Sequence, residues 1–152
     1  MKKVVDVRNA RTPEYRKVIE KIAKDGKCPF CPDNFNYHTR KILRREGRWL
    51  ITRNFHPYPG TRYHFILIGE KHKTRVAHLT ANDFAAIGQL VQWAEKEYKI
   101  QGGAIAMRFG NTRYTGATVS HMHCHLIVPK LEYRKIGGKI QRVASVVSFP
   151  IG

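Results

Sequence analysis

Three histidines alternate with other residues in the segment His-Met-His-Cys-His-Leu-Ile-Val-Pro, residues 121–129. Apolar residues follow the third histidine directly, which predicts a buried β-strand here. Because successive side chains of a strand point to opposite faces, His121, His123 and His125 share one face. Buried imidazole nitrogens each need a polar partner, so three of them in a row are poor core material. The pattern favours a functional row of histidines over a purely structural one.

Two helices are indicated by start and stop signals, and both precede the histidine row. Thr12 is a suitable N-cap, and apolar residues recur at helical spacing from there until Gly26. Thr80 caps a second helix that runs to Tyr98, and Asp83 stands at the position of a capping-box acid.

Short apolar segments between and after these helices predict strands. Glu46-Gly47 is a turn signal between two of them and indicates an antiparallel hairpin. The predicted strands are residues 39–44, 49–53, 64–69, 104–109 and 121–128. The order helix, hairpin, strand, helix, strand, strand is typical of an α+β domain. Residues 130–152 alternate basic and apolar residues and give no firm element.

The charge balance is unusual, because Lys and Arg total 28 against 11 Asp and Glu, a formal net charge of +17. This excess favours anionic partners such as nucleotides, polyphosphates or nucleic acid, although a soluble surface of biased composition is the alternative. The 152 residues suit one domain over 1–152. No apolar run is long enough for a bilayer and no secretory signal is present, so we expect a cytoplasmic protein without a membrane partner.

Cys28 and Cys31 form a close pair directly after the first predicted helix. Two thiolates at this spacing can bind one zinc ion, and histidines are the candidates for the two further ligands of a closed site. Redox chemistry is the second interpretation, but no strand precedes the pair as a thioredoxin-like context requires. A packed thiol pair is the third. With Cys124 the chain has an odd number of cysteines, which argues against a disulfide scaffold.

The histidine row and the cysteine pair together resemble the histidine-triad (HIT) family, over most of residues 28–129. The row matches the family's H-x-H-x-H motif, and the apolar segment HFILIGEKH, residues 64–72, is similar to the strand that precedes its third zinc ligand. The resemblance implies a HIT-like fold with a five-stranded antiparallel sheet, two helices and a basic tail at 130–152. It implies a homodimer through the helix at 80–98 and an edge strand. It also implies a structural zinc ion held by Cys28, Cys31, His72 and His121.

The resemblance further implies catalytic roles for three residues. His123 is expected to attack the α-phosphate of a nucleotide, since a neutral imidazole is a competent nucleophile. His125 is expected to donate to phosphate oxygens, and Thr118 to stabilise the developing charge.

The expected substrate-binding residues are Asn54, His64, Asn111, Gly116 and Thr118. Asn54 suits the ribose because a side-chain amide can both donate a hydrogen bond to a hydroxyl and accept one from it. A turn-forming role for Asn54 is an equal alternative. Arg108 and Arg113 flank the loop that precedes the triad and are candidates for outer phosphates, with at least one of them expected to be solvated. Ala117 stands where many members have Gln, which favours the diadenosine tetraphosphate hydrolase and phosphorylase branches.

Our preferred hypothesis is therefore an enzyme that cleaves a nucleoside phosphate or dinucleoside polyphosphate at the α-phosphorus and releases a nucleoside monophosphate, with AMP the expected product. The segment Arg62-Tyr63-His64 is similar to the aprataxin branch, so deadenylation of nucleic-acid 5′ ends is the alternative. A nucleotide-binding module without enzymatic activity is the third hypothesis.

Overall fold

A five-stranded antiparallel sheet forms the centre of the computed structural model, which describes residues 3–149. Its strands are β1 (Ile42–Glu46), β2 (Trp49–Arg53), β3 (Thr61–Gly69), β4 (Ala104–Met107) and β5 (His123–Pro129). Their order in the sheet is β1-β2-β3-β5-β4, so β5 is hydrogen-bonded on both edges. The predicted α+β class and the five-stranded sheet are confirmed, and β5, which carries His123 and His125, lies in the interior of the sheet.

The two predicted helices are present, and their caps follow the predicted residues. In α1 (Pro13–Asp25) the Thr12 hydroxyl accepts from the N–H of Tyr15, and Gly26 ends the helix at φ 67°. A capping box between Thr80 and Asp83 begins α2 (Ala81–Glu97). Each cap satisfies backbone groups that the helix end leaves without intrahelical partners.

The two helices lie on opposite faces of the sheet. Met122, Cys124 and Leu126 point to the α2 face, as the alternation of a strand requires. The most deeply buried residues of this core are Trp49, Ile51, Phe65, Leu67, Leu90, Ala94, Met122 and Cys124. The triad histidines consequently point to the other face, where α1 lies.

Some elements differ from the sequence prediction. Strand β3 begins at Thr61 rather than residue 64, because its first residues pair with the end of β5. The loop before β5 contains a short helix, α3 (Thr112–Thr115). The C-terminal tail forms a hairpin of β6 (Leu131–Ile136) and β7 (Lys139–Ala144), joined by two glycines at positive φ. Residues 150–152 of the predicted tail lie outside the described residues.

The segment that precedes α1 holds the loop before β5 in place. Val5 pairs with Val119 in an isolated antiparallel bridge, and the Asp6 N–H donates to the Thr118 carbonyl at 2.7 Å. The Asp6 carboxylate is fully buried and accepts from Arg8 and from the Thr112 hydroxyl. The hydrogen bond from Arg8 is the main reason that the pKa of Asp6 lies well below its usual range.

Among residues 3–149, no helix combines the length and the apolarity needed to cross a membrane.

Candidate active site and metal cluster

A cavity of about 350 Å³ lies between α1 and the histidine face of the sheet. This volume falls within the range of small-molecule sites. Its walls come from α1, from the loop 54–59 and from the strand ends, and they are mostly apolar. The predicted site residues that line the cavity are Asn54, Arg108, Thr118, His123 and His125. We call this cavity the cleft.

His123 is held in one tautomer. Its Nδ1 lies 2.6 Å from the carbonyl oxygen of His121, and a carbonyl can only accept, so Nδ1 carries the proton. The lone pair therefore belongs to Nε2. Burial is the main cause that lowers the pKa of His123 to about 4, which keeps the ring neutral at physiological pH. A neutral imidazole with one nitrogen fixed and the other bearing a lone pair is arranged as a nucleophile.

His125 is held by a chain of hydrogen bonds that runs from the backbone through His64. The Tyr58 N–H donates to His64 Nδ1 at 3.0 Å, so the proton of His64 is on Nε2. That Nε2 lies 2.9 Å from His125 Nδ1 and donates to it. With Nδ1 accepting, the neutral His125 ring has its proton on Nε2; Arg108 Nη2, 3.4 Å from that nitrogen, is also a donor and makes no hydrogen bond to it in this tautomer. His64, predicted to bind substrate, thus contacts the triad itself.

Asn54 lies beside this chain at the cleft wall. Its side-chain oxygen accepts from the His56 N–H at 3.1 Å, and its amide nitrogen is 3.1 Å from His64 Nε2. The Asn54 side chain therefore stabilises a turn, which was one of its two predicted roles, and it also lines the cleft.

Two arginines bring positive charge to the cleft. Arg108 Nη2 lies 3.2 Å from the Tyr58 hydroxyl and 3.4 Å from His125 Nε2. Arg11, directly before the N-cap of α1, places its guanidinium 4.2 Å from the centre of the Tyr58 ring. Both residues line the cleft, which therefore suits an anionic ligand. Sequence reasoning missed Arg11 and Tyr58; the position of Arg11 next to a helix cap was the available signal.

The loop before β5 is brought to the cleft only in part. Thr118 lines it, with its hydroxyl 3.3 Å from the Asn9 carbonyl. Gly116 ends α3 at φ 61°, and its carbonyl accepts from Arg108. The structure does not bring Asn111 into the cleft, because its side chain caps α3 by accepting from the Arg113 N–H, and it lines a separate pocket. Arg113 is exposed, as expected of one of the two loop arginines.

The predicted metal ligands form a second cluster at the start of β5. The ligand atoms of Cys28, Cys31, His72 and His121 all lie within 4.8 Å of one another. His121 Nδ1 is 3.3 Å from the Cys28 sulfur and 3.8 Å from the Cys31 sulfur, and His72 Nδ1 is 3.5 Å from the Cys31 sulfur. A tetrahedron with zinc–sulfur and zinc–nitrogen bonds of normal length has edges of about 3.3–3.8 Å. The three distances above fall in this range, so the four side chains form a group that could hold a zinc ion.

Two features of the cluster bear on cation binding. The Nε2 of His121 donates to the Gly69 carbonyl at 2.6 Å, which leaves the Nδ1 lone pair facing the thiols. Burial raises the pKa of the Cys28 thiol to about 12, so the thiol keeps its proton unless a bound cation replaces it. Phe30, from the same cysteine turn, packs edge-on against both His121 and His123 and lines the cleft. The cluster and the cleft therefore share a wall.

Comparison with solved structures identifies the same fold in other proteins. A histidine triad nucleotide-binding protein from Candida albicans has a TM-score of 0.58 and 17% identity, over 82% of this chain and 86% of that one. A histidine triad protein from Clostridium difficile has a TM-score of 0.53 and 18% identity, over 68% and 90%. A Zn-bound histidine triad family protein from Mycobacterium smegmatis has a TM-score of 0.52 and 23% identity, over 69% and 76%. No curated protein matches the sequence.

The family comparison covers most of the chain. Residues 27–141 match the family described as scavenger mRNA decapping enzyme C-term binding. This span contains the cysteine pair, the cleft strands and the complete histidine row. The chain therefore belongs to that family and is a histidine-triad protein.

Proposed function

We propose that this protein is a nucleotide hydrolase or transferase that attacks the α-phosphate of a nucleoside phosphate or dinucleoside polyphosphate through His123. The observation that carries the proposal is the fixed tautomer of His123, whose Nδ1 is bonded to the His121 carbonyl in a cleft that two arginines line. A binding module without activity would not need a neutral, oriented imidazole at this position.

In the first step, the Nε2 lone pair of His123 forms a bond to the α-phosphorus, and the bond from phosphorus to the leaving oxygen breaks. The electron pair goes with the leaving oxygen, to which the Nε2–H of His125 donates. Arg108 and the Thr118 hydroxyl would stabilise the phosphate oxygens as charge develops. The protein holds these groups before the reaction begins, so little reorganisation is needed.

In the second step, water attacks the phosphorus of the phosphohistidine and the P–N bond breaks. The electron pair returns to Nε2 of His123, and a nucleoside monophosphate leaves with a proton released to solvent. An inorganic phosphate in place of water would give a nucleoside diphosphate. The cleft residues alone are compatible with either acceptor.

The zinc ion has a structural role in this proposal. Cys28, Cys31, His72 and His121 would hold it with four protein ligands, which leaves no position for a reacting water. It would fix His121, whose carbonyl in turn fixes the tautomer of His123.

Diadenosine tetraphosphate tests the proposal directly. The purified protein is incubated with it in plain buffer and in phosphate, and the products are separated by chromatography. AMP plus ATP supports a hydrolase, and ADP plus ATP formed only in phosphate supports a phosphorylase. Either activity must disappear in His123→Ala. Absence of turnover in both buffers would count against the dinucleotide substrate.

Adenylated nucleic-acid ends are the second candidate substrate. The match to an mRNA decapping family and the net charge of +17 both favour a substrate with a long anionic chain. A short oligonucleotide with a 5′-adenylate, incubated beside the dinucleotide, separates the two candidates. Release of AMP from the oligonucleotide alone would move the proposal to end processing.

We also propose a homodimer through α2 and an edge strand of the sheet. Strand β4 is such an edge, and its Ile105 side chain is 56% exposed. Light scattering of the wild type and of Ile105→Lys tests it: the charge should dissociate the dimer if this edge forms the interface.

A further inference from the structure

The ribbon of β6 and β7 has no role in the proposed reaction, and it is almost entirely exposed. Every residue of both strands is exposed except Val143, which is half-buried. An isolated two-stranded hairpin is only marginally stable in water. Exposed apolar side chains on such an element therefore point to a binding surface.

One face of the ribbon carries an aromatic ring between cations. The strand register places Tyr133 opposite Arg142 and Lys135 opposite Ile140. Directly opposite residues lie on the same face, and so do residues two positions apart on one strand. Tyr133 and Ile140 are each 74% exposed. The ribbon face, as we call it, consists of Leu131, Tyr133, Lys135, Ile140, Arg142 and Ala144.

The charges of the two ribbon faces differ. On the opposite face, Arg134 forms a 2.9 Å ion pair with Glu132, which also accepts from the Ser145 hydroxyl. The ribbon face contains no acid. In the part of the chain that the structure describes, neither Lys135 nor Arg142 takes part in an ion pair. Two cations beside an exposed ring are therefore open to an anionic ligand.

We propose that the ribbon face binds single-stranded nucleic acid. Tyr133 would stack on an unpaired base, while Lys135 and Arg142 would contact the flanking phosphates. Bases inside a duplex present no face to such a ring, so a single strand fits better than a duplex. A second copy of this chain fits poorly, because two ribbon faces would bring like charges together in a protein of net charge +17.

The segments that enter and leave the ribbon contact residues near the cleft. Its entry residue Lys130 donates from N–H to the Gly60 carbonyl at 2.8 Å, and the following segment returns to stack Phe149 on Tyr58 at 5.1 Å. A strand on the ribbon face would thus have its end near the histidines. This further step, in which the bound strand presents its terminal nucleotide to the cleft, rests on the proposed function.

Fluorescence anisotropy with a short labelled oligothymidylate tests the surface in the full chain. We expect Tyr133→Ala to weaken binding about tenfold without changing the salt dependence, because it removes stacking and keeps the charges. The double variant Lys135→Ala/Arg142→Ala should make the negative slope of log K against log salt shallower by about 1.4, because two phosphate contacts are lost. A matched control removes one exposed lysine from each long helix, Lys17→Ala/Lys96→Ala, and should leave the slope unchanged.

Four results would overturn this proposal: equal binding by Tyr133→Ala and wild type, an equal loss in the helix control, a duplex bound as tightly as the single strand, or a dimer that Tyr133→Ala dissociates. The circular dichroism of each variant must match that of the wild type. Turnover of diadenosine tetraphosphate distinguishes this proposal from the proposed function. Ribbon variants should retain that turnover, whereas His123→Ala should lose it and still bind the oligonucleotide.

Discussion

The candidate metal cluster and the cleft each contain a buried histidine, and the two imidazole rings present opposite nitrogens to their sites. His121 and His123 are two residues apart, both are buried, and burial lowers the pKa of each to about 4. His121 donates through Nε2 to Gly69 and turns Nδ1 to the thiols, whereas His123 donates through Nδ1 and keeps Nε2 for the cleft. The backbone carbonyl that each ring contacts therefore decides which ring nitrogen is free: Nδ1 for the proposed metal ligand His121 and Nε2 for the proposed nucleophile His123.

The largest expected effect comes from a substitution in the cleft, which tests whether the cleft can lose its function while the metal cluster stays intact. In His123→Ala the turnover of the dinucleotide should fall on the order of 10⁴-fold or more, because the attacking nitrogen is gone. The zinc content, measured by elemental analysis of the same preparation, should equal that of the wild type. A variant that loses both activity and zinc would show that the two regions are not separable.

The next largest effect comes from a substitution in the metal cluster, which tests the predicted zinc ligands. Cys28→Ser should lose bound zinc and lower the melting temperature by about 10 °C, since a tightly bound ion adds several kcal/mol of stability. Cys124→Ala is the matched control, because that buried thiol faces the α2 core and not the cluster. It should keep the zinc, although it loses some packing. Equal zinc content in Cys28→Ser and wild type would contradict the predicted ligand set.

A smaller effect is expected at His64, which acts through His125. In His64→Gln, kcat should fall about 10–100-fold with little change in KM, because the flexible Gln amide does not reproduce the position of the ring Nε2–H that donates to His125. The exposed His78, changed to Gln, serves as the control for the substitution itself. A large rise in KM with constant kcat would instead make His64 a direct substrate contact.

The smallest effect concerns pH. Burial, with smaller contributions from Arg11 and Arg108, lowers the pKa of His64 from its ordinary 6.5 to about 4. Between these values the unfolded chain binds a proton that the folded chain does not. The stabilisation is therefore complete above pH 6.5 and decreases as pH falls toward 4. Urea unfolding across this range should show a shallower decrease in His64→Gln than in wild type, and parallel curves would contradict the assignment.

The features that were predicted correctly from the sequence, the helices and the alternation of the histidine strand, depend on short-range patterns. The alternation at 121–126 separated the histidines from the core residues, and the caps at Thr12 and Thr80 marked both helices correctly. The four residues predicted as metal ligands lie close together, and the resemblance grouped them where spacing alone leaves the set open.

The rest depends on contacts between distant segments, which no local pattern encodes. Tyr58 occurs in a loop rich in proline, and nothing nearby indicates that its N–H would orient His64. Asn111 suited a phosphate loop by sequence, yet the turn around α3 uses its side chain as a cap. The ribbon was missed because alternating basic and apolar residues on a two-sided strand give no buried face to detect.

The segment before α1 has a consequence for the order of assembly. Asp6 contacts Thr112 across 106 positions, and Asn9 contacts Ala117 across 108. Contacts of such high sequence separation cost the most chain entropy and form after local helices and hairpins. The loop beside His123 should accordingly be among the last parts to gain protection from hydrogen exchange during refolding. The imidazoles of the proposed active site would then be organised only after the framework around them is complete.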